Sequence, residues 1–192
     1  MHDYPDVYPV FLSGPRIDMR EVSPEDATAA LAWASDPEFF RFLPHEVVTS
    51  EAEEVAFLEG LRDQAFARPR LQYHLGIVLR ERDELIGTGR LGISAPEAAG
   101  GDIGYGLRRD CWNRGLATEA ARLLVEFGFS VLGLHRIFAY HHPDNVASGR
   151  VLAKLGMQHE GRLRENMRSH GAWRDSMVWA ILEQEWRSPT HR

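Results

Sequence analysis

Residues 104–119 read GYGLRRDCWNRGLATE, a short alternating strand that runs through Trp112-Asn113-Arg114-Gly115-Leu116-Ala117 into a helix. Small residues at a strand-to-helix turn leave backbone N–H groups uncovered, and the helix start adds partial positive charge. Such a turn is built to hold an anion, above all a phosphate. In the strand, Ile103, Tyr105 and Leu107 fall on one face and Asp102, Gly104 and Gly106 on the other. Two glycines and a carboxylate pack poorly. That face suits an extended ligand arm close against the backbone, or simply a bend in the strand.

Two familiar nucleotide loops are excluded. No GxxxxGK[ST] occurs. Gly87-Thr88-Gly89-Arg90-Leu91-Gly92 matches GxGxxG, but it lies inside an alternating strand and is followed by the turn Ser94-Ala95-Pro96-Glu97 instead of a helix.

The 192 residues suit a single domain spanning 1–192, after a Pro-punctuated leader over 1–14. Hydrophobic residues at 44% and charged residues at 26% are ordinary globular values. A net charge of −6 argues against a nucleic-acid partner and suits a cationic acceptor such as an amine. One cysteine, Cys111, excludes an internal disulfide and fits a reducing compartment. The N-terminus lacks a secretory pattern and no apolar run is long enough to span a bilayer, so the expectation is a cytoplasmic protein away from membranes.

Periodicity predicts strands over 17–22, 72–79, 84–93, 101–108 and 136–141, and a closing hairpin of 157–168 with 173–182 across Ser169–Ala172. Helices are predicted to start at Ser23-Pro24-Glu25-Asp26 and to run over 50–66, 115–132 and 145–155. The order β-α-α-β-β-β-α-β-α-β-β describes a mixed α/β sheet with an antiparallel front and one parallel crossover. Residues 36–49, with Phe39, Phe40, Phe42 and Leu43, have weak periodicity and read either as core or as an acceptor-site wall.

Further stretches complete the pattern: Leu12-Ser13-Gly14-Pro15-Arg16, Leu85-Ile86-Gly87, His142-Pro143-Asp144-Asn145-Val146-Ala147-Ser148, Lys154-Leu155-Gly156-Met157, Gly171-Ala172-Trp173-Arg174-Asp175 and Glu185-Trp186. With 104–119, they resemble the GNAT superfamily of acyl-CoA N-acetyltransferases over nearly the whole chain. The RimJ/RimL-like branch is closest, because an aromatic such as Trp112 is common there three residues before the loop glycine.

The resemblance implies a mostly antiparallel sheet flanked by helices, in which a splayed parallel strand pair forms a slot for acetyl-CoA. Main-chain groups of Leu107, Arg108 and Arg109 would pair with the pantetheine arm. Asn113, Arg114, Gly115, Leu116, Ala117 and Thr118 would cradle the pyrophosphate, with the Arg114 guanidinium adding charge. Asn145 and Ser148, three apart at a helix start, would face the slot with Ser148 near the sulfur; read from the residues alone, both are equally helix caps. Many members carry a tyrosine acid seven residues after this Asn, where this chain has Leu152, so Ser148 or a water is the expected substitute.

The implied reaction is direct transfer of acetyl to an amine in a ternary complex. The N–H near Leu107 would hold the oxyanion, and Asp102 is the candidate catalytic carboxylate. A protein or peptide N-terminus is the favoured acceptor. A small amine (polyamine, aminoglycoside or amino acid) and a CoA-binding regulatory module without catalysis are the alternatives, and a homodimer is left open. No metal is expected. His141 and His142, adjacent on a strand, point to opposite faces and read as structural. Cys111 is not expected to act as a nucleophile. The alternation of Glu160, Arg162, Arg164, Asn166 and Arg168 predicts one polar face of the hairpin.

Overall fold

The alternating segments become strands β1 (Phe11–Ser13), β2 (Ile17–Glu21), β3 (Gln72–Leu79), β4 (Glu84–Ala95), β5 (Gly100–Leu107), β6 (Arg136–His141), β7 (Gln158–Ser169) and β8 (Ala172–Leu182). The helices are α1 (Ala27–Ala34), α2 (Pro37–Phe40), α3 (Glu51–Ala65), α4 (Leu116–Ser130), α5 (Val146–Lys154) and α6 (Glu183–Trp186). In this computed structural model, which describes residues 4–44 and 46–187, the strands form one sheet in the order β1-β2-β3-β4-β5-β6-β8-β7. The GNAT-like mixed α/β fold anticipated above is present. Strand β1 and the one-turn helices α2 and α6 are additions too short to leave a periodic signal.

Every neighbouring pair is antiparallel except β5 and β6. Their parallel pairing is brief, joining only Gly100, Gly101 and Asp102 to Arg136, Ile137 and Phe138. Beyond Asp102 the two strands part. Helix α4 supplies the crossover between them. Its Leu116, Ala120, Leu124 and Phe127 recur at helical spacing and are buried in the main core, with Tyr73, Leu91, Ile103, Leu107 and Ile137 of the sheet. Trp33 and Ala34 of α1 cover the opposite face, packing on Val78 and Leu85.

The β7–β8 hairpin closes through His170 and Gly171, both at positive φ (49° and 75°), the conformation of a two-residue type I′ turn. Register shifts at His159/Gly161 and Leu163/Met167 break the expected alternation of the polar residues of β7. A slip of one residue turns side chains to the other face, so Glu160 to Arg168 do not form a single continuous polar face.

An ion pair ties the leader to the sheet. Arg70, 1% exposed at its side chain, bonds both carboxylate oxygens of Glu21 at 2.8 and 2.9 Å and donates to Val7 O at 2.9 Å. Its guanidinium lies 4.3 Å from the centre of the Tyr73 ring. Glu21 also accepts the Val10 N–H at 3.0 Å. Removing one partner leaves an uncompensated buried charge. Glu21→Ala is therefore expected to lower the unfolding free energy by about 3 kcal/mol, read from denaturant titration; a loss below about 1 kcal/mol contradicts this role.

Candidate active site

The parting of β5 and β6 sets the site. Arg108 N–H donates to Ile86 O at 2.8 Å, which fixes the phase of the antiparallel β4–β5 ladder. In such a ladder alternate residues bond to one neighbour. Gly104, Gly106 and Arg108 therefore turn their N–H and C=O groups toward β4. Ile103, Tyr105 and Leu107 turn theirs the other way, into the opening where β6 no longer runs alongside. The Leu107 N–H thus faces the slot. The Leu107 carbonyl accepts Trp112 Nε1–H at 2.6 Å, anchoring the loop to the strand end.

The glycine face of β5 is not uniform. A Cβ on Gly106 would strike the Phe39 ring at 2.4 Å, so that position is covered by α2. A Cβ on Gly104 would meet nothing within 4 Å. The face of β5 is therefore open beside Gly104. Directly across from Gly104 stands Arg90, and across from Arg90 stands His74. Arg90 bonds Asp102 in an ion pair at 2.5 Å and Gln72 Oε1 at 3.1 Å. The candidate carboxylate is therefore held by a guanidinium. Desolvation, then the charges of Arg90 and Arg70, push the His74 imidazole down to about 4.

At the loop, Asn113 (φ 58°) and Gly115 (φ 78°) adopt left-handed backbone, and Gly115 caps α4. The first helical bond runs from Glu119 N–H to Gly115 O at 3.2 Å, so the N–H groups of Leu116, Ala117 and Thr118 precede any intrahelical acceptor. Beside them lies a cleft of about 500 Å³ lined by Arg16, Arg80, Glu81, Arg114 and Leu116. Arg16 is fixed by Glu119 at 2.8 Å and by Arg114 O at 2.8 Å, and Arg80 by Gly14 O at 2.7 Å. Residue patterns around the loop reveal only Arg114; Arg16 and Arg80 come from β2's entry and the β3–β4 turn, distant in sequence. Arg108 is tied to Glu84 and Asp110, and Arg109 to Asp36; the Arg108 N–H and C=O are themselves taken, by Ile86 O at 2.8 Å and Cys111 N–H at 2.9 Å, so the anticipated pairing of the Arg108 main chain with a ligand arm is not open.

Asn145 caps α5, its Oδ1 accepting Ser148 N–H at 3.1 Å. The Ser148 Oγ lies 3.2 Å from Tyr105 Oη, which reaches it from β5. Leu152, one turn along α5, is fully buried in the core. Sequence reasoning passed over Tyr105, since alternation alone places it among core positions. Burial pushes the Cys111 thiol up, away from nucleophilic character.

Both nitrogens of His141 are committed. Its Nδ1–H donates to His142 O at 2.8 Å, and Nε2 accepts Trp179 Nε1–H at 3.0 Å. That fixes the neutral tautomer, in keeping with a pKa lowered by burial. His142 accepts Asp144 N–H at Nδ1 (3.1 Å) and stacks on Phe42, ring centres 5.3 Å apart. A cavity of about 80 Å³ lies here, among Phe42, Tyr140, His142, Met167, Ser169 and Arg174. The 36–49 segment, His45 of which lies outside the described residues, divides between core and cavity lining. Phe39 packs with the α1 core, and Phe42, Leu43 and Pro44 wall this cavity. Ser169 Oγ–H holds Leu43 O at 3.1 Å, joining the segment to the hairpin. Among the described residues, no helix is long and apolar enough to cross a membrane, and no three His, Cys, Asp or Glu side chains converge as a metal site.

The "Acetyltransferase (GNAT) domain" family matches residues 16–158. The chain is 33% identical over 177 residues to the Bacillus subtilis protein named "Uncharacterized N-acetyltransferase YoaA", covering 92% of this chain and 98% of that one. Over 84 residues (44% of this chain, 43% of the relative) it is 31% identical to the [Ribosomal protein uS5]-alanine N-acetyltransferase of Escherichia coli. Among solved structures it resembles Mycobacterium smegmatis RimJ in complex with CoA-disulfide, with a TM-score of 0.85, 25% identity, and coverage of 97% of this chain and 93% of that one.

The depressed His74 pKa gives the polar face a pH signature. Between about 4 and the ordinary value of 6.5 the unfolded chain binds a proton that the folded chain does not. His74 thus contributes stability that is complete above 6.5 and is lost as pH falls toward about 4. Comparing melting temperature across this range, His74→Gln is expected to flatten the acid limb; an unchanged slope contradicts the assignment.

Proposed function

The chain belongs to the GNAT acetyltransferase family, and from that premise we propose that it transfers the acetyl group of acetyl-CoA to the α-amine of a protein or peptide N-terminus. The residues present fit the CoA cosubstrate. The Leu107 N–H faces a slot beside parted strands, the first-turn N–H groups of α4 are uncovered, and Arg16, Arg80 and Arg114 line the adjoining cleft. In this reading, main-chain groups of Leu107 and Arg109 hold the pantetheine arm, and residues 113–118 hold the pyrophosphate. Asn145 fixes the start of α5 toward the slot.

The transfer forms a C–N bond to a neutral amine and breaks the C–S bond. The amine gives up one proton and the departing thiolate takes one. The Leu107 N–H stabilises the carbonyl oxygen as charge develops on it. Ser148 Oγ–H hydrogen-bonds the departing thiolate, which takes its proton from water, and lies one turn before Leu152 on the same helical face. Asp102 accepts the amine's proton through water.

One observation carries the choice of acceptor: the candidate carboxylate beside Gly104 is bound in an ion pair. Asp102 is paired with Arg90, and His74, across from Arg90, is pushed down to about 4. An α-amine, with a reference pKa of about 7.7–8.0, is roughly one-tenth neutral at pH 7, whereas a lysine-like amine near 10.4 is neutral in less than about one molecule in a thousand. A weak base suffices only for the first. The identity to a ribosomal-protein alanine N-acetyltransferase supports the same reading.

CoA release from acetyl-CoA is expected with peptides beginning in Ser or Ala and not with spermidine or kanamycin; the reverse preference replaces the α-amine with a small amine. Gly115→Asp forces a side chain onto a positive-φ cap and adds an anion at the α4 N-terminus. Its acetyl-CoA binding should vanish from calorimetry while circular dichroism keeps the native fold. Ser148→Ala should lower kcat by about 10²-fold with acetyl-CoA affinity nearly unchanged; an equal kcat removes Ser148 from the mechanism.

A further inference from the structure

Tyr105 has no part in the mechanism above, yet it is the side chain that spans the opening. It belongs to the helix-facing series of β5, and its Oη stands 3.2 Å from Ser148 Oγ and 3.4 Å from Ser148 O on α5. We propose that Tyr105 is a positioning residue for Ser148, its phenol holding the serine hydroxyl in the one orientation that directs the Ser148 proton into the slot. The inference rests on the reading of Ser148 as the group facing the CoA sulfur.

A serine hydroxyl on a helix has staggered alternatives and a freely rotating proton. Here the backbone of Ser148 is fixed by the Asn145 cap, through its N–H at 3.1 Å. The side chain needs a second constraint, and Tyr105 supplies it. Ser148 Oγ has one proton to give and lone pairs to receive. When the phenol donates to Oγ, the serine proton has no claim from Tyr105 and is left for the sulfur. The opposite arrangement would turn the serine proton toward the phenol and leave the phenol's own proton to the Ser148 carbonyl, the longer of the two contacts. Burial pushes the Tyr105 phenol up to about 12, so it stays protonated as a donor throughout the neutral range. The printed contacts of the phenol are both to Ser148, so its task is to orient that residue. Leu152, the next residue on that face of α5, has no hydroxyl to take over.

The test reads the thiol of CoA bound to the whole protein, followed through the ultraviolet absorption of the thiolate, and so needs no acceptor. Losing a hydrogen bond to a charged group is expected to raise the bound thiol's pKa in Ser148→Ala by about 1 unit relative to wild type. Tyr105→Phe keeps the ring and removes only the donor. It should reproduce most of that rise, with CoA affinity by calorimetry and melting temperature close to wild type. The double variant should match Ser148→Ala alone, because Tyr105 acts only through Ser148. A Tyr105→Phe titration that overlays wild type overturns the proposal, as do single effects that add in the double variant. If CoA binds but Ser148→Ala titrates like wild type, the reading of Ser148 fails and takes this inference with it. If CoA does not bind at all, the cosubstrate reading is what has failed.

Discussion

Three residue pairs decide what this sheet can do. Gly100, Gly101 and Asp102 pair with Arg136, Ile137 and Phe138, and then these parallel neighbours separate. A strand whose backbone is paired on both edges has nothing to offer a ligand. A strand that loses one neighbour exposes a row of N–H and C=O groups. The β4–β5 ladder fixes which residues carry that row: Ile103, Tyr105 and Leu107. Every other feature of the site is arranged around this opening.

The flanking elements follow from the same geometry. The α4 crossover starts where β5 ends, so its uncovered N–H groups and the Arg16, Arg80 and Arg114 guanidiniums stand at one end of the opening. Helix α5 follows β6 and brings Ser148 to within 3.2 Å of Tyr105 across it. On the other sheet face, Gly104 is left clear while Gly106 is roofed by Phe39. Hydrogen-bond donors gather on the helix side of the slot, and the open space lies on the glycine side. Beside that space the charges of Arg90 and Asp102 are paired.

Much of this was legible because it is local. Strands β3 and β6 occupy their predicted spans, and the two-residue turn at His170-Gly171 closes the hairpin where expected. The anion loop was readable because glycine at a positive-φ cap and small residues in a first helical turn are needed whatever the surrounding fold. Other features depend on which strands become neighbours. The bulges in β7 answer to the twist of the hairpin against β8, and alternation cannot register them. Strand β1 is three residues long and exists because β2 is there to pair with it. The Asp102–Arg90 and Tyr105–Ser148 contacts join residues 12 and 43 apart, and no spacing rule connects them.

The sequence by itself determined the element order, the helix-starting anion loop and the glycine face of β5, since each is written in the φ/ψ and period preferences of consecutive residues. It also identified the family, through motifs in the right order. The tertiary structure alone decided where β5 and β6 part, which arginines reach the loop, and what state the polar side chains are in. Asp102 is a lone carboxylate in the sequence and half of an ion pair in the fold. Tyr105 is a core residue by alternation and a hydrogen-bond partner of Ser148 by placement. The reason is physical: periodicity assigns a side chain to a face, whereas its charge, protonation and partners are set by the neighbours that folding brings to that face.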